Sequence, residues 1–340
     1  MSAASQLHAK LDIARDRQVD VFEAIRALGI WLVFQKLDNL LGVTVRQGVG
    51  GIAITTERPL NLQRYTAAHE LGHWVLHDDE YTWDTDETVL QGDASAREHA
   101  AQIFAGAFLM PRQLVVGTLR RLGLGRGDRI SPLIAYRAST IMGVSYEAAL
   151  NQLRTMNLLT REEYSAHKEV RPINIKTELS GGIRPKNPQA NVWSPAVEEL
   201  QELNMAIGDE VVISVPENRT TGYRWMVPAQ AQAANGEQGI ADIELVADDF
   251  ELGTTGVADT TAEPKAGAGG HRRMIFRANG AGHVVLPLAL RRSFQADSPL
   301  ADLITVSGKV QLDPARLQAR VIAGLQTEGE DAPPTGAADA

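Results

Sequence analysis

The sequence predicts an α+β protein, a mainly helical domain with a small sheet followed by an all-β sandwich. Three observations carry that expectation. Up to about residue 168 most segments show helical spacing of apolar residues, several opened by serine or threonine caps. Three short apolar runs before residue 56 read instead as strands. Beyond residue 190 the period changes to short alternating runs separated by turns, the pattern of a sandwich.

Taken in order, residues from about Gln6 to Leu28 are expected to form one amphipathic helix, stopped at Gly29. Ile30–Phe34, Leu41–Val45 and Gly51–Thr55 read as strands. Between the last two, Gly48-Val49-Gly50-Gly51 reads as a hairpin turn. A phosphate loop would continue into Gly-Lys-Ser/Thr and a helix, and neither follows. One helix is expected through Arg64–His77. A second starts near Ser95 and runs to Met110, where Pro111 stops it. Arg112–Leu122, Pro132–Met142 after Ser131, and Tyr146–Met156 after Ser145 follow, and the capping box Thr160-x-x-Glu163 opens a last short helix. The pair flanking Gly143 has the outline of a helix-turn-helix, but its second helix lacks a basic face and reads as packing. Residues 169–190, with Pro172, Gly181, Gly182, Pro185 and Pro188, read as a linker. The sandwich is expected over 191–312, with strand pairing starting as early as about 176. Residues 313–340 read as a helix remnant and a disordered acidic, Gly-, Ala- and Pro-rich tail.

A chain of 340 residues is long enough for two cores. The absence of cysteine excludes disulfides, thiolate metal sites and cysteine nucleophiles. A net charge of −9 argues against direct nucleic-acid binding; Arg112, Arg120, Arg121, Arg126 and Arg129 read as a solvated face. The N-terminus lacks an apolar signal core and no apolar run reaches membrane-spanning length, so a cytoplasmic protein with no membrane partner is expected.

The most informative string is His69-Glu70-Leu71-Gly72-His73. On a helix, two histidines four apart share one face and can grip one metal ion. A glutamate beside the first can then act as general base towards water, as in zinc metallopeptidases. A hydrolytic zinc site wants a third ligand, commonly a carboxylate. Glu98 heads the small-residue stripe Ala101, Phe104, Ala105, Phe108 and can supply it. It can equally close the capping box Ser95-x-x-Glu98. His99 points about 100° away on the same helix. His77 lies eight residues, about 12 Å, along from His69, so it is expected outside the ligand set. Asp78, Asp79 and Glu80 read as a solvated helix end. Tyr65, Tyr81 and His77 are candidate helpers for an oxyanion.

This region resembles the ImmA/IrrE family of zinc metallopeptidases over about residues 1–168. The matching residues are the Gly51–Thr55 strand, Ala68-His69-Glu70-Leu71-Gly72-His73, Glu98-x-x-Ala101-x-x-Phe104-Ala105, Leu109-Met110-Pro111, and Val144-Ser145 with Ala148-Ala149-Leu150 before Leu153. The resemblance implies a zincin-like domain in which His69, His73 and Glu98 bind Zn2+ and Glu70 is the base. It also implies a cytoplasmic enzyme acting on helix-turn-helix transcriptional regulators of mobile elements or stress genes.

In the second domain, Asn218-Arg219-Thr220-Thr221-Gly222-Tyr223 forms a polar loop between strands, the kind of tip that binds a partner on a rigid scaffold. Gly267-Ala268-Gly269-Gly270 and Arg291-Arg292-Ser293-Phe294 are two further loops. Residues 176–312 resemble the chagasin family of cysteine-peptidase inhibitors, which are immunoglobulin-like sandwiches. In that family three such loops wedge into papain-like clefts. Asn218, Thr220, Thr221, Gly222 and Tyr223 match the first loop, Gly267, Gly269 and Gly270 the second, and Arg292 and Phe294 the third. Arg219 and Ser293 stand where the family has proline. Proline limits the freedom of an unfolded loop, so these departures imply weaker or altered inhibition.

Together these readings lead to a zinc endopeptidase whose sandwich selects a protein partner. The alternative is a binding protein or inhibitor of a papain-like cysteine peptidase, its metal domain a scaffold or sensor.

Overall fold

The computed structural model describes residues 2–48, 50–76, 81–85 (backbone), 96–195, 203–233, 235–237, 239–252, 269–292, 294, 299–312, 314 and 318. They fall into two compact units. One holds Val21–Ile103 with residues from Leu312 on, the other the first twenty residues with Phe104–Gln311.

In the unit of Val21–Ile103, helix α2 (Val21–Ala27) leads into β1 (Trp31–Gln35), β2 (Leu40–Val45) and β3 (Gly51–Thr55). Helix α3 (Leu60–Leu76) and strand β4 (Tyr81–Thr85) follow, and then α4 (Ala96–Leu109) begins. The sheet order is β1-β3-β2-β4, with β1 parallel to β3 and β2 antiparallel to both its neighbours. Helix α3 packs on β2 and β3. From Gln63 to His73 every α3 side chain but Tyr65 is buried. A helix covered on all sides needs no apolar stripe, which is why polar and apolar residues alternate freely along it.

The other unit begins with α1 (Ala3–Lys10), so the expected single helix over Gln6–Leu28 is two. The break lies where Asp12 adopts φ +51° and Arg15 Nη2 donates to the Ser5 carbonyl at 2.8 Å. Val19 is then buried in a non-helical stretch; tertiary burial overrides local periodicity here. Next come α5 (Arg112–Arg121), α6 (Pro132–Met142), α7 (Tyr146–Thr155) and α8 (Arg161–Lys168). Their starts are the caps read from sequence. Ser131, Ser145 and Thr160 accept from the backbone N–H groups of Ile134, Ala148 and Glu163, the last as a complete capping box. Gly143, at φ +67°, closes α6 in the left-handed conformation that glycine adopts without a Cβ penalty.

Residues 169–190 are not simply a linker, because Pro172 opens a helix, α9 (Pro172–Leu179). Proline at the first helical turn loses nothing, since its missing N–H would have no intrahelical partner there. Lys176 is buried and its ammonium donates to the carbonyls of Pro188 and Ala190 at 2.8 and 2.7 Å.

The sandwich consists of β5 (Val192–Trp193), β6 (Leu203–Ala206), β7 (Glu210–Glu217), β8 (Tyr223–Met226), β9 (Ile243–Leu252), β10 (Gly270–Ala278), β11 (Gly282–Arg292) and β12 (Asp302–Gln311). The one-turn 3-10 helix Arg219–Thr221 precedes β8, and a short helix α10 (Ala229–Ala233) follows it. The two sheets are β5-β7-β10-β9 and β6-β12-β11-β8. Their inner faces form one core that includes Ile213, Trp225, Phe276, Leu288 and Val306. The first half of strand β7 is buried on both faces: Val211, Ile213 and Val215 enter that core, while Val212 joins Val192 and Ile275 on the other side, packed against Leu179 of α9. Double burial replaces clean alternation with a continuous apolar run. Asp209, just before β7, is buried and accepts from the N–H groups of Asn191, Ala206 and the Trp193 indole at 2.8, 2.9 and 3.0 Å. No helix among the described residues is long and apolar enough to cross a membrane.

Candidate metal centre

Helix α3 carries His69 and His73 one turn apart, and both are buried. Glu98, in the first turn of α4, meets them. His69 Nε2 lies 3.1 Å from Glu98 Oε2, His73 Nε2 lies 3.3 Å from Glu98 Oε1, and the two Nε2 atoms are 3.1 Å apart. The side chains of His69, His73 and Glu98 are 0%, 1% and 18% exposed. Hydrogen bonds from His69 and His73 hold the Glu98 carboxyl well below the usual carboxylate range, so it is an anion here.

The arrangement fits a metal. Two imidazole nitrogens and one carboxylate face a common point, and among the described residues they are the group able to share an ion. Tetrahedral zinc with bonds of about 2.0–2.1 Å spaces its ligands roughly 3.3 Å apart, matching these separations. Zinc is one of the first-row ions that an N2O set of this kind suits. His99 is exposed and takes no part. Ser95, His77, Asp78, Asp79 and Glu80 lie outside the described residues. Tyr81 is described in its backbone alone, and Tyr65 is partly buried on α3.

Glu70 is 0% exposed and belongs to β2 as much as to α3. Thr44 Oγ1 donates to Glu70 Oε2 at 2.5 Å and also lies 3.2 Å from the Glu70 carbonyl. Gly42, two residues earlier on the same strand, makes room for it. A Cβ there would sit 2.7 Å from Glu70 Oε1, 2.9 Å from its Cγ and 2.6 Å from Thr66 Cγ2. Sequence reasoning missed Gly42 and Thr44. The available signal was a glycine inside a strand, which marks close approach by another group.

Residues 25–154 match the family model of the IrrE N-terminal-like domain, peptidase M78. This IrrE-like segment includes His69, Glu70, His73 and Glu98. The match supports a peptidase, of a kind typically dependent on metal.

Residues 204–307 match the chagasin family of peptidase inhibitors, I42, which supports a protein-binding role. Similar solved structures include a cysteine protease inhibitor of Entamoeba histolytica, 15% identical, covering 36% of this chain and 95% of its own at a TM-score of 0.26. Amebosin is 22% identical, with coverage of 36% and 96% and a TM-score of 0.22. No curated protein matches the chain.

In the chagasin-like segment the expected loops come together. Asn218 Oδ1 accepts from the Thr220 N–H and hydroxyl at 3.1 and 2.7 Å, and Thr221 Oγ1 donates to the Asn218 carbonyl at 2.7 Å. Gly222, at φ +76°, leaves room for the Phe294 ring, which a Cβ would approach to 2.6 Å. The Arg292 guanidinium lies 5.2 Å from the centre of the Tyr223 ring. Arg219, in place of proline, stacks 4.0 Å from the centre of Phe250. Gly269 and Gly270 line a recess with Asn218. Gly267 and Ser293 lie outside the described residues.

Proposed function

We propose that this chain is a zinc-dependent endopeptidase that cleaves a specific intracellular protein, and that its sandwich recognises a protein partner. The observation that carries the reading is the convergence of His69, His73 and Glu98 within one turn of a buried Glu70. His69 Nε2, His73 Nε2 and a Glu98 oxygen would hold the ion. Zinc at such a site supplies Lewis acidity, bringing the pKa of water down towards about 7 and polarising a carbonyl. Glu70 takes a proton from the attacking water at its carboxylate and passes it to the leaving amine. Thr44 fixes the rotamer in which it does so. The substrate class we assign, a helix-turn-helix transcriptional regulator, is the one that the resemblance to the ImmA/IrrE family implies.

The test compares new protein N-termini in host extracts treated with wild type or Glu70→Gln. Zinc content should be equal, and one cleaved regulator should appear with wild type alone. Cleavage retained by Glu70→Gln removes the assignment of the base.

The loop cluster from Asn218 to Tyr223 with Phe294 favours a second reading, in which the sandwich inhibits a papain-like cysteine peptidase. Titration of papain with the full chain reads it directly, and no inhibition at micromolar concentration removes it.

A further inference from the structure

The unit that contains the sandwich has a cavity of about 770 Å³. That size suits a small organic ligand. Its lining includes the apolar Leu114 of α5, Ile141 of α6, and Trp193 and Leu203 of the sandwich, beside polar groups such as Thr140, Asn204 and His283. Around it stand four cations, Arg17, Arg121, Arg137 and Lys309, and no carboxylate is among its described lining residues. In a chain of net charge −9, where carboxylates outnumber cations, such a wall departs from the average. Among the described residues Arg17, Arg121 and Lys309 have no ion-pair partner.

The elements that carry the cations are anchored. Asn204 donates to the Gln18 side chain, which holds the Arg17 segment to β6, and Lys309 pairs in register with Asn204. The Val192 N–H donates to the Tyr136 hydroxyl at 2.8 Å, which ties α6, and with it Arg137, to β5. Like charges set over low-dielectric walls focus field into the cleft and attract an opposite charge.

We infer that this cavity is a binding site for an amphiphilic small anion, with an aromatic or acyl body against the apolar lining residues and a carboxylate, sulfonate or phosphate head among Arg17, Arg121, Arg137 and Lys309. No residue of the metal centre lines it, so its test reads binding and not proteolysis.

The probe is 8-anilinonaphthalene-1-sulfonate, titrated into the full-length protein by fluorescence and calorimetry. Its uncharged counterpart is N-phenyl-1-naphthylamine. Wild type should bind the sulfonate at one saturable site. The pair Arg121→Glu with Lys309→Glu should weaken it at least tenfold and leave the uncharged probe unchanged. The pair Arg126→Glu with Arg161→Glu changes net charge equally at exposed positions elsewhere and should have no effect. Should the first pair lower the thermal midpoint, Arg17→Gln alone is read instead, with a loss of at least threefold expected. Absence of a saturable site, equal weakening by both pairs, or undiminished binding in the cavity variants would each overturn the inference.

Discussion

At the scale of single residues, the site depends on two residues of β2, Gly42 and Thr44, as well as on the helix that carries the motif. Thr44 gives its hydroxyl hydrogen to Glu70 Oε2, and hydrogen bonds to charged groups contribute about 1.5–3 kcal/mol. Thr44→Val should therefore lower kcat about tenfold or more, since about 1.4 kcal/mol of barrier is tenfold in rate. KM and zinc content should stay as they are, and Thr44→Ser should restore kcat. A Val variant with lowered zinc or raised KM and normal kcat would mean that Thr44 serves the fold alone. The histidine spacing was legible because one helical turn sets it. The role of β2 was not, because the contact joins residues 26 apart in sequence and leaves no local period.

Among the elements, those with a local chemical signal were read best. Strand β3 falls on the expected Gly51–Thr55, and α6, α7 and α8 open at the expected caps. Spacing alone leaves Glu98 open between cap and ligand, since both readings put it in the first turn, and the family resemblance assigns it to the metal; its carboxylate lies 3.1 Å from His69 Nε2, while Ser95 lies outside the described residues. The first helix was misjudged because its continuation is decided by burial. His8 of α1 is 1% exposed, and its Nε2 bonds the Phe108 carbonyl at 2.9 Å. Burial lowers its pKa from the ordinary 6.5, against the smaller opposing effect of that bond. The folded state thus binds fewer protons than the unfolded one below about pH 6.5. The stability His8 contributes is complete above that pH and is lost as pH falls towards the folded value. Denaturant midpoints at pH 7.5 and 5.5 should fall more steeply in wild type than in His8→Gln, which keeps a donor but does not titrate. Equal slopes would show that His8 does not titrate on unfolding.

For the molecule as a whole, the boundary of the sandwich is set by what covers it. Composition placed a linker over 169–190, and the glycines and prolines there do mark turns, yet α9 between them packs Leu179 on Val192, Val212 and Ile275. A fragment starting at Arg171 should have a higher thermal midpoint than one starting at Asn191. The difference should correspond to about 1–2 kcal/mol, the partial burial of one large aliphatic side chain, with the Lys176 anchor in addition. Equal midpoints would return the segment to the status of a linker. The position of α9 in the chain has a further consequence during synthesis. Residues leave the ribosome in order, so α9 is made before β5, β7 and β10, the strands whose outer face it shields. Exposed strand surface in half-made chains drives aggregation. Here the shield is already outside when the apolar strip first forms, and the nascent sandwich never has to present it bare to another chain.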